Sequence, residues 1–194
     1  SEMCIRDRLK RPLREEAEQY LSEEKGVTSV EDAISGAKDI IAEAISDEAD
    51  YRSWIRKITM KKGKLISTAK DPEAESVYEM YYEFEEPLSK LAGHRILALN
   101  RGEKEKILTV KIEAPEEEIL GYLEKQTIHG KNISTEQALK EAVEDSYKRL
   151  IGPAIEREIR SDLTEKAEDG AIEVFGKNLE QLLMQPPITG TVSY

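Results

Sequence analysis

The positive side chains are the residues of this sequence best placed to do chemistry. Between Arg52 and Lys64 stand Arg52, Arg56, Lys57, Lys61, Lys62 and Lys64, with no Asp or Glu among them, in a chain whose formal charge is -11. A cluster of this kind can neutralise phosphates. Arg52 and Arg56 are four apart, so on a helix they share a face away from Trp54 and Ile58. A second group, Arg95, Arg101, Lys104 and Lys106, surrounds the run Asn100-Arg101-Gly102-Glu103. Both groups also have a purely structural reading. The first would pair with acidic neighbours as ordinary surface, since it lacks interleaved stacking aromatics. The second would be a helix end, closed by Asn100 and Arg101, with Gly102 in a left-handed turn and Glu103 and Lys104 exposed in a hairpin-like link. The candidate nucleic-acid contacts are therefore Arg52, Arg56, Lys57, Lys61, Lys62, Lys64, Arg95, Arg101 and Lys104.

Other chemistry is hard to find. His94 and His129 are the only histidines and neither has a second ligand at metal spacing. There is no phosphate loop, no Gly-x-Gly-x-x-Gly and no Gly-x-Ser-x-Gly. Glu83, Glu85, Glu86 and Glu116 to Glu118 read as solvated faces and helix N-terminal charge rather than as magnesium or calcium ligands. Asn132-Ile133-Ser134 matches a glycosylation sequon but has no secretion signal to give it meaning. No catalytic residue, metal or cofactor is expected, and the chain is read as a non-enzyme.

At 194 residues the chain can bury one well-packed core or two small ones. Apolar residues at 39% are too many for wholesale disorder, although the mean hydropathy is -0.59. No apolar run is long enough to span a bilayer. The acidic balance argues against coating by nucleic acid over the whole surface but leaves room for a local basic patch. Ser1-Glu2-Met3-Cys4-Ile5-Arg6-Asp7-Arg8 has no signal-peptide pattern and resembles a translated sequencing adapter, so residues 1–8 are expected to be non-native. Cys4, the only cysteine, would then be foreign. A segment without cysteine fits a cytoplasmic protein.

These residues must be positioned mainly by helices. Thr28 and Glu31 have capping-box spacing, and Val30, Ala33, Ile34, Ala37, Ile40, Ile41, Ala44 and Ile45 form one apolar stripe behind them. Asp47 is expected to cap a second helix that carries Tyr51, Trp54, Ile55 and Ile58. Leu65 to Thr68 is short and β-prone. Ser76 and Glu79 form a further capping box before a short aromatic helix through Phe84, which Pro87 ends. Leu91 to Asn100 reads as helix, and Ile107 to Ile112 as a strand able to pair with Leu65 to Thr68. Pro115 with Glu116 to Glu118 opens another helix. Ser134 and Gln137 open one that runs to about Ile151, where Gly152-Pro153 interrupts or kinks the chain. The last helix runs from about Ala154 to Gln185. Its row of Ile155, Ile159, Leu163, Ala167, Ala171, Val174, Asn178 and Leu182 predicts burial along its whole length. The fold class is mainly α, multi-helical with a long C-terminal helix and a small two-stranded β element.

Several blocks carry a resemblance. They are Tyr20-Leu21-Ser22-Glu23-Glu24-Lys25-Gly26-Val27 with Ala33-Ile34-Ser35-Gly36-Ala37-Lys38-Asp39-Ile40-Ile41-Ala42-Glu43, then Tyr81-Tyr82-Glu83-Phe84-Glu85-Glu86-Pro87-Leu88 with the run from His94 to Leu108. Glu165 to Leu179 and Pro186-Pro187 follow. In this order they resemble the bacterial Tex transcription accessory proteins, which are similar to the central region of the eukaryotic elongation factor Spt6. The likeness covers about Leu9 to Gly190. Gly170 and Gly176 depart from the more helix-favouring pattern of the family.

The resemblance implies a helical region that precedes a YqgF/RNase H-like domain, helix-hairpin-helix motifs and an S1 domain. Residues 9–190 would be part of that helical region and residues 191–194 the truncated start of the next domain. The implied role is a non-catalytic scaffold segment, with RNA or DNA bound by the intact protein, the transcription machinery as partner and no membrane. The alternative is a helical module that binds nucleic acid directly through Arg52 to Lys64. A third reading, part of a metal-dependent nuclease borrowed from the YqgF-like neighbour, lacks strand-borne carboxylates for two metals.

Overall fold

The computed structural model describes residues 30–128 and 133–184. Helix α1 is Val30–Ser46, α2 Ala49–Lys62, α3 Gly93–Lys104, α4 Glu116–Thr127, α5 Ile133–Asp145 and α6 Gly152–Met184. Strands β1, Lys64–Ala69, β2, Glu83–Pro87, and β3, Leu108–Glu113, form one sheet in the order β2-β1-β3. The mainly α class and the long C-terminal helix are as the sequence predicts, with three strands where two were expected. The residues fall into two compact units. Among the described residues, the first takes 30–64, Pro87–Ser89 and those within Ile112–Ile159; the second takes Leu65–Glu86, Lys90–Lys111 and 160–184.

In the first unit α1 packs on α5 and on the turn that follows it, and α4 packs on α5. Ala37, Ile41, Ala42 and Ile45 of α1 are buried with Ile119 and Leu123 of α4 and with Leu139, Ala142 and Val143 of α5. These positions recur at three and four residues, the period that puts them on one helix face. Ser146 Oγ donates to the Ala42 carbonyl at 2.6 Å, which satisfies a hydroxyl buried in the same seam. Helix α2 begins after Glu48, not Asp47, and Glu48 makes no side-chain cap. The Thr28 cap lies outside the described residues.

The break at Gly152-Pro153 is absorbed rather than expressed. Residues Ser146–Ile151 form a turn of π-helix, and α6 follows without interruption. Pro153 cannot donate a backbone bond, and the Gly152 N–H reaches back five residues to the Tyr147 carbonyl. A Cβ on Gly152 would lie 2.9 Å from that same oxygen, so glycine fits the wide turn.

In the second unit the end of β1 meets the starts of both neighbours: Ala69 N–H donates to Tyr82 and Lys70 N–H to Ile107. Both pairings are therefore antiparallel, and the expected pairing of β1 with β3 is present. Strand β2 replaces the aromatic helix predicted through Phe84. Only the single 3₁₀ turn Glu79–Tyr81 forms there. Ser76 Oγ accepts from Tyr78 N–H at 3.1 Å in a tight local turn, and Tyr82 Oη donates to the Ala74 carbonyl, so the chain is tied back before a second helical turn can start. Beyond it, Glu83 and Glu85 face solvent while Phe84 and Glu86 are half-buried, the alternation of an edge strand.

Leu65, Leu108 and Val110 of the sheet are buried with Tyr78, Tyr81, Ile96 and Leu99 and with Leu163 and Ala167 of α6. Beyond Ala167 the expectation of burial fails. Helix α6 continues through Gly170 and Gly176, but Ile172, Val174, Phe175, Leu179, Leu182 and Leu183 are exposed. A periodic apolar row shows that a face can be buried; it does not supply the surface that buries it.

Candidate nucleic-acid interface

The run His94 to Leu108 builds a joint. Helix α3 extends past Gly102 to Lys104, and Gly102 is not left-handed. Its lack of a side chain serves packing instead, since a Cβ there would lie 2.5 Å from Leu108 Cδ1 and 3.3 Å from Tyr78 Cδ1. The left-handed residue is Lys106, with φ 62°. Around it Ile107 N–H donates to the Gly102 carbonyl and Lys106 N–H to the Glu103 carbonyl, both at about 3 Å, the paired bonds of a Schellman ending. Tyr78 lies buried beside this ending, and burial followed by the Glu105 carboxylate pushes its hydroxyl pKa up.

Asn100 and Glu103 are three apart on α3 and both point at α6. Asn100 Nδ2 donates to Thr164 Oγ1 at 2.8 Å, and Asn100 Oδ1 accepts from Arg160 at 3.2 Å. Arg160 also donates to both carboxylate oxygens of Glu103. Glu103 is thus a buttress within the helix and not part of an exposed link. At the other end of α3, Gly93 lets the helices touch, because a Cβ there would be 3.3 Å from Ala167 Cα. This network joins residues 57 to 64 positions apart, which no local spacing rule reveals.

Of the second basic group, one member is tied down. Arg95 donates to Glu86 Oε2 at 2.8 Å and sits 5.6 Å from the centre of the Phe84 ring, a salt bridge and a cation–π contact together. Arg101 and Lys104 are exposed in the last turn of α3, where the helix dipole favours cations. His94 is exposed beside Leu97, Lys166, Phe175 and Asn178 at a shallow groove.

The first basic group lies on α2 and just past its end. Ile55 and Thr59 bury one face. The ends of the helix are held by ion pairs, Arg52 to Glu158 at 3.0 Å and Lys62 to Glu118 at 2.6 Å. Arg56 and Lys64 are also engaged by other groups. Ser53, Arg56, Lys57, Met60 and Lys61 line an open depression of about 520 Å³ on the face away from Ile55. Lys57 and Lys61 are exposed and make no ion pair among the described residues. Beside them Trp54 stacks on Tyr122 of α4, with ring centres 3.8 Å apart and planes within 10° of parallel, and Tyr51 meets Tyr122 edge-on. Burial, reinforced by Asp50 and Glu48, pushes the Tyr122 hydroxyl pKa up. Sequence reading missed this aromatic pair because its two halves come from different helices.

The nine candidate contacts therefore divide, six with α2 in the first unit and three on α3 in the second. The acidic runs hold cations of the chain itself: Glu86 binds Arg95, Glu118 binds Lys62 and Glu116 lies 3.5 Å from Lys148. Among the described residues no three His, Cys, Asp or Glu side chains converge as metal ligands, and no helix is long and apolar enough to cross a membrane.

Comparison with known proteins gives this architecture a family. The chain is 56% identical over 177 residues to protein YdcI of Bacillus subtilis, covering 90% of the chain and 25% of that protein. It is 30% identical to Protein tex of Bordetella pertussis over 88% of the chain and 24% of the relative. It is 26% identical to the transcription elongation factor SPT6 homolog of Arabidopsis thaliana over 75% of the chain and 10% of the relative. The chain thus spans a quarter or less of the length of these proteins. Residues 8–175 match the family described as Tex central region-like, and with most of its length inside that match the chain belongs to the Tex family.

Proposed function

We propose that this chain is a non-catalytic scaffold segment of a Tex-like transcription accessory protein that binds RNA or DNA through its full length. The observation that carries the reading is the family match across residues 8–175 in a chain that spans about a quarter of its relatives. The names of those relatives support it, among them Protein tex, the SPT6 homolog and the human S1 RNA-binding domain-containing protein 1. A scaffold role agrees with what the signature run does, which is to lock α3 onto α6 through Asn100, Glu103, Arg160 and Thr164.

The test is a binding titration across salt on a full-length relative and on this chain. The full-length protein should bind RNA or DNA with a steep loss of affinity as salt rises, and the chain should bind more weakly with a shallower slope. A full-length protein without affinity for either nucleic acid would overturn the reading. Magnesium-dependent cleavage of nucleic acid by this chain would overturn its non-catalytic part.

A further inference from the structure

Within that reading, on which it rests, we infer that the outward face of α2 is a single-strand contact, with Lys57 and Lys61 on successive phosphates and a base against the Trp54–Tyr122 pair. The argument begins with which cations are already committed. Arg52 and Lys62 neutralise Glu158 and Glu118 and hold α2 in place. Lys57 and Lys61 are four apart, so their stems leave the same side of the helix about 6 Å apart along its axis. Neighbouring phosphates on one strand lie at a comparable separation. Both lysines face away from Ile55 and Thr59, and Ser53 in the same depression adds a hydroxyl able to donate to a phosphate oxygen.

The aromatic pair favours a single strand over a duplex. Trp54 lies three residues before Lys57 and seven before Lys61, which places all three in one row on the helix. Its indole is half-buried and already stacked flat on Tyr122, so the ring is held rigid beside the lysines. Cations that track a backbone next to a fixed aromatic are the two elements of single-strand binding, and a stacked base needs no particular identity. A duplex hides its base faces and could use the lysines alone. The net charge of -11 disfavours phosphate contact over the surface as a whole, so a local pair of uncommitted cations is what draws a strand to this face.

Trp54 is the only tryptophan, so its emission reports on this face. Titration of the chain with short oligouridylate or oligodeoxythymidylate should quench Trp54 saturably, with a salt slope of about -1.4, near -0.7 for each of two contacted phosphates. The K57E/K61E variant should lose affinity by about tenfold or more while unfolding at the same temperature as the parent, since both lysines lie outside the core. K57Q/K61Q should fall between the two. Unchanged Trp54 emission, equal binding by K57E/K61E, or equal quenching by a duplex of the same length would each overturn the inference, as would preference for vesicles of anionic lipid. The first two results, obtained while a full-length relative still binds nucleic acid, would remove this contact and leave the functional reading standing.

Discussion

Gly102 carries a penalty that its place in the sequence disguises. The spacing Asn100-Arg101-Gly102 reads as a helix terminus because glycine is the usual left-handed residue, yet here glycine is selected by the closeness of Leu108 and Tyr78 and the left-handed position falls to Lys106. The Gly102→Ala variant should be destabilised by roughly 1–3 kcal/mol, the range for overpacking, measured by urea unfolding. The Lys106→Gly variant should gain roughly 0.5–1 kcal/mol, because removing a Cβ from the left-handed region outweighs the added freedom of the unfolded chain. A loss of stability in Lys106→Gly would contradict this account of the helix ending. What was legible at this scale was that the run ends a helix. Which residue turns and which one packs depends on Leu108 and Tyr78, and Tyr78 comes from a segment whose capping-box spacing predicts helix.

Most elements were readable from period and punctuation, and the failures share a cause. The α1 stripe, the β1–β3 pair and the acid-rich start of α4 follow from local pattern. Strand β2 did not, because Ser76 and Tyr82 close a side-chain turn that a capping-box spacing equally allows. The apolar spacing of the outer half of α6 predicts burial because it matches that of the inner half, which has a partner surface. At the α3–α6 joint, Arg160→Ala should cost about 1 kcal/mol, since it removes two charged hydrogen bonds from a partly exposed carboxylate and one from the Asn100 side-chain oxygen. A double-mutant cycle with Glu103→Gln should return a coupling of roughly 0.5–1 kcal/mol, and additive effects would show that the pair does not hold the helices together.

For the whole molecule, charge and burial set the response to solvent. The candidate site was legible only as a list of cations; the structure separates Arg52, Lys62 and Arg95, which pair with acids of the chain, from the exposed Lys57, Lys61, Arg101 and Lys104, and this sorting needed the positions of Glu86, Glu118 and Glu158. Alkaline pH should unfold the chain from within. Burial, with Glu116 and Glu156 nearby, pushes the Tyr147 hydroxyl pKa up to about 12 from an ordinary value of 10. The folded state therefore keeps a proton that the unfolded state releases. Stability should be intact below about pH 10, fall between pH 10 and 12, and level off above, a loss on the order of 2 kcal/mol. Tyr147→Phe should flatten that part of the pH profile in thermal unfolding; an unchanged profile would place the alkaline sensitivity elsewhere.

The π turn at Ser146–Ile151 has a consequence for length. One residue more than an α turn is wound into that stretch for nearly the same rotation, so the stretch carries a surplus. Removing Arg149, an exposed residue paired with Asp145, would take out the surplus and shorten the Gly152-to-Tyr147 bond from a five-residue to an ordinary four-residue step. Leu139 and Val143 would keep the face they share with α1. Removing Arg157, exposed in α6 where the winding is already ordinary, would instead turn Ile159 by about 100° relative to Ile155. The first deletion should be tolerated and the second should collapse the packing, a distinction between spare and fully used residues that thermal unfolding of the two variants would display.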